Sequence, residues 1–398
     1  VYQAGITPGM QCVGMADVEI ERAVACADAF GLGYRVVDSL AEMHAAIETG
    51  QIAICADAAL LARCELMDVF IDGSNAIAAA GRFDVAALEH GKHLVMMNAE
   101  ADLLFGPYFL QQAQKNGLVY TSCDGDQPVV IRRLIDELQL WGFELVMAGN
   151  IKGFLDRYSD PTKIIPEADK RNLDYKMCTS YTDGTKLCVE MALVANAYGL
   201  RTDVPGMHGP RMASVYDMFE HFDFEALWQS REAVVDYVLG AKPNGGVFAI
   251  GYADHPFQQY TLDWFPPRMG PGPFYLFYKP YHLGHIMAMT SVAEAFLDQR
   301  GALQPDYGLR TNVYAYAKRN LRAGEELDGL GGYCCYGLIE NCADNEDNPG
   351  LPALLADRVR LKRDIPADEK IALADVDYDS ARADFALHAR AAAITTIP

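Results

Sequence analysis

The sequence predicts an α/β protein in which a doubly wound parallel sheet leads into an α+β region and a small β-rich C-terminal part. Three observations carry this. Over the first 144 residues, short apolar runs alternate with segments of helical period, the pattern of strands covered on both faces by crossover helices. From Leu145 to about Tyr307, strand-like pieces mix with longer helices and Gly/Pro turns. Near the end, Lys318 to Glu325 (KRNLRAGE) is echoed by Lys362 to Glu369 (KRDIPADE), two basic-led turn units suited to one small all-β domain. The expected domains are therefore 1–144, 145–307 and 308–398.

Taken in order, Val1-Tyr2-Gln3 reads as the end of a first helix, so that the opening strand and its glycine loop are expected upstream of Val1. A Thr7-Pro8-Gly9 turn enters a strand at Met10 to Ala16, and a helix then runs from Asp17 through Phe30 with Ala23, Ala27 and Phe30 on one face. Asp38-Ser39 is an N-cap signal for a helix carrying Leu40, Met43, Ala46 and Ile47. Val69 to Asp72 has the composition of a fully buried strand, followed by an alanine-rich helix that stops at Gly91-Lys92. A strand at His93 to Met97, a helix at Leu103 to Asn116, a strand at Leu118 to Ser122 and a helix at Val129 to Trp141 complete the alternation. Right-handed crossovers of this length wind the sheet doubly. Beyond it, strands are expected at Leu145 to Ala148, Met177 to Tyr181, Val247 to Tyr252 and Phe274 to Tyr278. Helices are expected from Asp183 to Asn196, Ser291 to Arg300 and Ser380 to Ala393, the second returning to the first domain.

A net charge of −21 argues against a nucleic-acid partner, which requires a basic face. No apolar run approaches the roughly 18 residues needed to cross a bilayer, and a cytoplasmic location is expected. The ten cysteines show no CxxC and no regular spacing, which fits reduced thiols and gives no zinc signal.

Ligands of an open parallel sheet bind at the carboxyl ends of its strands. Asp17 ends the first visible strand, where an acid bonds the ribose hydroxyls of a dinucleotide and repels a 2′-phosphate; it favours NAD over NADP. Asp72-Gly73-Ser74 ends the next apolar strand, with small residues that admit a cofactor. Asn98 and Glu100 follow the HLVMM strand, where the nicotinamide end belongs, and Asp124 and Asp126 follow the one after. In the second region, Lys186 and Glu190 are four apart on one helix face. They make either an exposed ion pair or a lysine that protonates a substrate oxygen beside a carboxylate that tunes it. His208 and Arg211, in the loop Gly206-Met207-His208-Gly209-Pro210-Arg211, suit the anionic end of a substrate. His282, in Pro280-Tyr281-His282-Leu283, is a further substrate-binding candidate; with His285 it has metal-ligand spacing but no third ligand, so no metal ligands are assigned.

The run Gly91 to Asp102 (GKHLVMMNAEAD) resembles the homoserine dehydrogenase-like proteins. Asp183-Gly184-Thr185-Lys186 with Glu190-Met191, Gly206 to Arg211, and Pro280 to Leu283 resemble the branch that carries a C-terminal SAF domain and includes the 1-deoxy-D-xylulose 5-phosphate reductoisomerase-like enzymes. The paired Lys-Arg turns are similar to that SAF domain. The resemblance implies a Rossmann-type NAD(P)-dependent oxidoreductase, a homo-oligomer, acting on a small polar or phosphorylated carbonyl or hydroxy compound. Two positions depart from the pattern. Asn98 is followed by Ala99, where homoserine dehydrogenases have a catalytic lysine, and Lys186 and Glu190 exchange the charges of their second catalytic pair. Lys186, Glu190, Glu100 and His208 are the catalytic candidates on this reading, and a reductoisomerase-like reaction adds a divalent metal near Glu100, Asp124 and Asp126. The alternatives are a dehydrogenase of a sugar or amino-acid derivative and a cofactor-bound sensor without catalysis.

Overall fold

A computed structural model describes residues 1–264 and 268–394. The chain divides into two compact units: Val1–Ala101 with Phe105–Gly125 and Leu283–Gln304, and Asp102–Leu104 with Asp126–His282 and the chain from Pro305 onward.

The first unit alternates helix and strand: α1 (Tyr2–Ile6), β1 (Gly14–Ala16), α2 (Ile20–Ala29), β2 (Tyr34–Val36), α3 (Leu40–Glu48), β3 (Ile52–Cys55), α4 (Ala58–Ala62), β4 (Val69–Asp72), α5 (Ala80–Glu89), β5 (His93–Met96), α6 (Ala99–Lys115) and β6 (Tyr120–Ser122). All its strand pairings are parallel, as helical crossovers require. The expectation of one doubly wound sheet is corrected to two three-stranded sheets, β1-β3-β2 and β4-β5-β6, because no described strand hydrogen-bonds to both β1 and β4.

Several boundaries move for local reasons. The apolar run from Met10 yields a strand only from Gly14, since the ladder with the short β3 ends where Ala53 N–H donates to the Val13 carbonyl. Ile71 in β4 is 37% exposed, so that strand is not buried throughout. Ser39 caps α3 as expected, its hydroxyl accepting from Glu42 N–H. The α6 helix begins four residues before Leu103 because the Asn98 side chain caps it. The helix expected from Ser291 begins at Gly284, runs to Ala293 and widens into a π turn at Glu294–Asp298.

The second unit opens with α7 (Gln127–Leu140) and a long strand, β7 (Glu144–Lys152). Helices α8 (Ile165–Arg171), α9 (Tyr175–Asp183) and α10 (Thr185–Tyr198) follow, then β8 (Val234–Leu239), β9 (Val247–Tyr252) and β10 (Phe274–Lys279). These strands form a mixed sheet in the order β10-β9-β7-β8, with β7 and β8 parallel. One face buries Met147, Ile151, Val238, Phe248, Ile250 and Leu276 beneath Phe222 and Trp228. The other face turns Ala148, Asn150, Lys152 and Tyr237 toward α7 and α10.

The strand expected at Met177 to Tyr181 is instead the middle of α9. The Asp174 carboxylate caps it by accepting from Met177 N–H. The hydroxyls of Thr179, Ser180 and Thr182 bond back to carbonyls three or four residues earlier, so side chains that favour strands are satisfied inside a helix.

The C-terminal part holds β11 (Thr311–Ala317), β12 (Glu326–Asp328), β13 (Cys335–Asn341), β14 (Asp357–Leu361) and β15 (Val376–Asp377). Its two turn units correspond at a spacing of 44 residues, 318 with 362 and 324 with 368, and their bonds are reciprocal. Leu321 and Ile365 exchange both backbone hydrogen bonds. Asp364 accepts from Ala323 N–H, and Asn320 accepts from Ala367 N–H. Arg319 pairs with Glu325, and Arg363 with Glu369. The left-handed turn position is Gly324 in one unit and Asp368 in the other. The sequence echo is a pseudo-twofold pair.

Candidate functional site

In the first unit, Asp72, Ser74 and Asn98 form one network at the carboxyl ends of β4 and β5. Asn98 Nδ2 donates to Asp72 Oδ2 and to the Ala76 carbonyl, both at 2.9 Å, while its Oδ1 accepts from Ala101 N–H at 3.1 Å. Asp72 Oδ1 accepts from Ser74 N–H at 2.9 Å. Burial raises the Asp72 carboxyl above its ordinary range, its bonds to Ser74 and Asn98 lower it, and the charge of Glu100 raises it. Glu100 itself is buried in the first turn of α6. A side chain at Gly73 would meet nothing within 4 Å, so no packing contact demands glycine there. Asp17 stands outside this network; its Oδ1 accepts from Glu19 N–H. The buried Asp124 receives Gly125 N–H, and its own N–H donates to the Ser291 hydroxyl.

Asn98→Ala removes a helix cap and the donors to the buried Asp72 carboxylate and the Ala76 carbonyl, and should cost about 2 kcal/mol of stability. Urea unfolding of the variant against the parent checks this, an unchanged midpoint counting against the network.

In the second unit, Asp126 caps α7 by accepting from Gln127 N–H. Lys186 and Glu190 on α10 are 8% and 6% exposed, which removes the alternative of a surface ion pair. Facing them is a residue the sequence did not single out, Lys152 at the end of β7. Burial pushes its ammonium below the ordinary lysine range, and the charges of Glu190 and Asp183 pull it back. Asp183 just before α10 forms a buried ion pair with Lys318 at 2.9 Å and accepts from Thr185 N–H. Glycine at 184, with φ of 88°, gives the turn that joins α9 to α10.

The Gly206–Arg211 loop is pinned by another unanticipated residue. Asp236, buried on β8, accepts from His208 N–H at 3.1 Å and Gly209 N–H at 3.0 Å. The His208 ring points away, bonding Asp203 at 2.9 Å with its side chain 38% exposed. Arg211 bridges to Leu239, the register partner of Lys152, and its guanidinium lies against Gly240. His282 Nδ1 bonds the Gly245 carbonyl at 2.8 Å, and its Nε2 meets the Gln127 amide. The backbone carbonyl fixes the proton on Nδ1, leaving Nε2 as an acceptor.

Among the described residues no group of three or more His, Cys, Asp or Glu side chains could hold a metal ion. No described helix is long and apolar enough to cross a membrane.

Among solved structures the chain is similar to a DOX-P reductoisomerase in complex with NADPH, fosmidomycin and magnesium. The identity is 16% over 46% of this chain and 50% of that chain, with a TM-score of 0.30. It thus spans half the length of that relative. It is also similar to the 1-deoxy-D-xylulose 5-phosphate reductoisomerase of Zymomonas mobilis in complex with NADPH, at 12% identity over 74% of this chain and 75% of that one, TM-score 0.32. A probable dehydrogenase of Thermotoga maritima shares 9% identity over 64% and 68%, TM-score 0.37. None of the curated proteins matches the chain. Residues 125–288, which hold Lys152, Lys186, Glu190 and the Gly206–Arg211 loop, match the family described as oxidoreductase DRL, catalytic domain.

Proposed function

We propose that the chain is an NAD(P)-dependent oxidoreductase acting on a small polar, anionic carbonyl or hydroxy compound. The observation that carries this reading is the placement of the buried Lys186 and Glu190 on α10 near the half-buried Lys152 at the end of β7, within the residues that match the oxidoreductase family. Desolvation makes a lysine give up its proton more readily, as a group that exchanges a proton with a substrate oxygen must. Lys152 and Lys186 hold that oxygen and its proton, and Glu190 tunes them.

The first unit fits a nicotinamide cofactor, which supplies the hydride donor or acceptor when bound. Both Asp72 oxygens are occupied by Ser74 and Asn98, so Asp72 braces the strand ends, and Asp17 is the acid left to meet the ribose hydroxyls. With it go Gly73, Ser74 and Asn98. Fluorescence titration tests this part: the parent protein should bind NADH more tightly than NADPH, and Asp17→Ala should narrow the difference. Tighter NADPH binding by the parent would overturn the role of Asp17.

A reductoisomerase-like rearrangement before reduction, with a divalent metal, is the narrower form of the proposal, supported by the sequence resemblance. A SAF-like identity for the end of the chain is supported by its paired turns. A homo-oligomer in the cytoplasm, with the cofactor held within residues 1–144, completes the reading. Light scattering and cell fractionation test the first two.

A further inference from the structure

Despite the net charge of −21, one sheet face sets cations beside a buried amide nitrogen without a partner. On the sheet face under α10, Asn150 of β7 and Tyr237 of β8 are direct register partners, and Lys152 projects from the same side. The Arg157 guanidinium lies close to Tyr237 and 5.7 Å over the ring of Tyr336. Its polar neighbours are phenols and the Cys188 thiol, which burial keeps protonated with its pKa pushed up to about 12. Among the described residues no carboxylate is ion-paired with Arg157. Asn150 is 1% exposed, and its side-chain nitrogen has no hydrogen-bond partner among the described residues.

Gly206 and Gly209, with φ of 74° and 56°, bring the Gly206–Arg211 loop onto these groups. A side chain at Gly209 would occupy the place of the Tyr237 ring and hydroxyl, and one at Gly206 would clash with Leu338 and touch Arg157. A guanidinium without a carboxylate and a buried amide without an acceptor flank one tyrosine. Both lack the same thing, an oxygen that carries negative charge.

We propose that Arg157, Tyr237 and Asn150 form an oxyanion subsite that holds the carboxylate or phosphate end of the substrate. The planar guanidinium fork takes two oxygens beside Tyr237, and the Asn150 amide donates to the anion. The subsite deepens the proposed function, since its occupant is the substrate of the Lys152, Lys186 and Glu190 cluster. It also moves the anion site expected at His208 and Arg211 to a residue that the sequence did not single out.

The test is isothermal titration of the full chain, without cofactor, with inorganic phosphate and separately with acetate. The parent should bind at least one of them, and the tighter anion identifies the substrate group. Arg157→Met should weaken that binding at least tenfold and Asn150→Leu severalfold, with melting temperatures close to the parent's. Arg157→Lys keeps charge and bulk while losing the fork, and should weaken binding even if the methionine variant does not fold. Binding of neither anion by the parent, or full binding by the folded Arg157 variants, would overturn the subsite. Anion binding without any nicotinamide-dependent turnover would overturn the oxidoreductase reading and leave the subsite standing.

Discussion

Lys318→Met is expected to cost about 3–5 kcal/mol of folding stability, the usual consequence of removing one partner from a buried ion pair. The Lys318 ammonium is ion-paired with the Asp183 carboxylate at 2.9 Å and donates to the Ser159 carbonyl at 2.7 Å and the Gly332 carbonyl at 2.8 Å. Both ionic side chains are essentially shut off from water, so methionine would leave a buried carboxylate and two carbonyls without their donor. Burial already raises the Asp183 carboxyl above its ordinary range, and losing the ammonium raises it further. An acid whose folded pKa lies above its unfolded one destabilises the fold at pH values above that pKa. The deficit of the variant should therefore narrow as pH falls and Asp183 takes up a proton. Lys362 occupies the equivalent position in the second turn unit but lies in solvent, so Lys362→Met serves as the control and should change stability by under about 0.5 kcal/mol. Chemical unfolding of both variants across pH measures this, and equal effects at the two positions would refute the argument.

Lys152→Met and Lys186→Met should each lower kcat by about 10² to 10⁴, the range for losing a positioned acid or base. NADH affinity should stay at the parent value, because neither lysine belongs to the residues proposed to hold the cofactor. The signature that separates proton transfer from packing is the pH profile. The parent should show a limb below the ordinary lysine range, since burial lowers the Lys152 pKa, and Lys152→Met should abolish it. Stopped-flow or steady-state absorbance of NADH with candidate anionic carbonyl compounds provides the readout. Undiminished kcat in both folded variants would remove these lysines from the mechanism.

The fold was legible where one short-range signal decided it. Ser39 followed by Leu40 and Met43 marks a helix, and the structure caps it at that serine. Val247 to Tyr252 is a strand to the residue. Failures came where distant partners decide. Met177 to Tyr181 has strand composition, and only the Asp174 cap together with hydroxyl back-bonding makes it helical. The strand expected at Leu145 to Ala148 continues further, since β8 and β9 pair with β7 up to Lys152 and Asn150 respectively. Extending that strand would have put Asn150 and Lys152 on one face and exposed the site at once. Asp236 and Arg157 carry no local motif; their roles depend on loops far away in sequence.

The pseudo-twofold turns near the C-terminus have a consequence for how such a protein can change over generations. Each unit's backbone and its Arg–Glu clasp specify the same shape, so the architecture is written twice and tolerates drift in either copy. Lys318 has been drawn inward to hold the start of α10, while its twin Lys362 stays in water. Of two equivalent lysines on matching turns, one braces the neighbouring helix and the other does not.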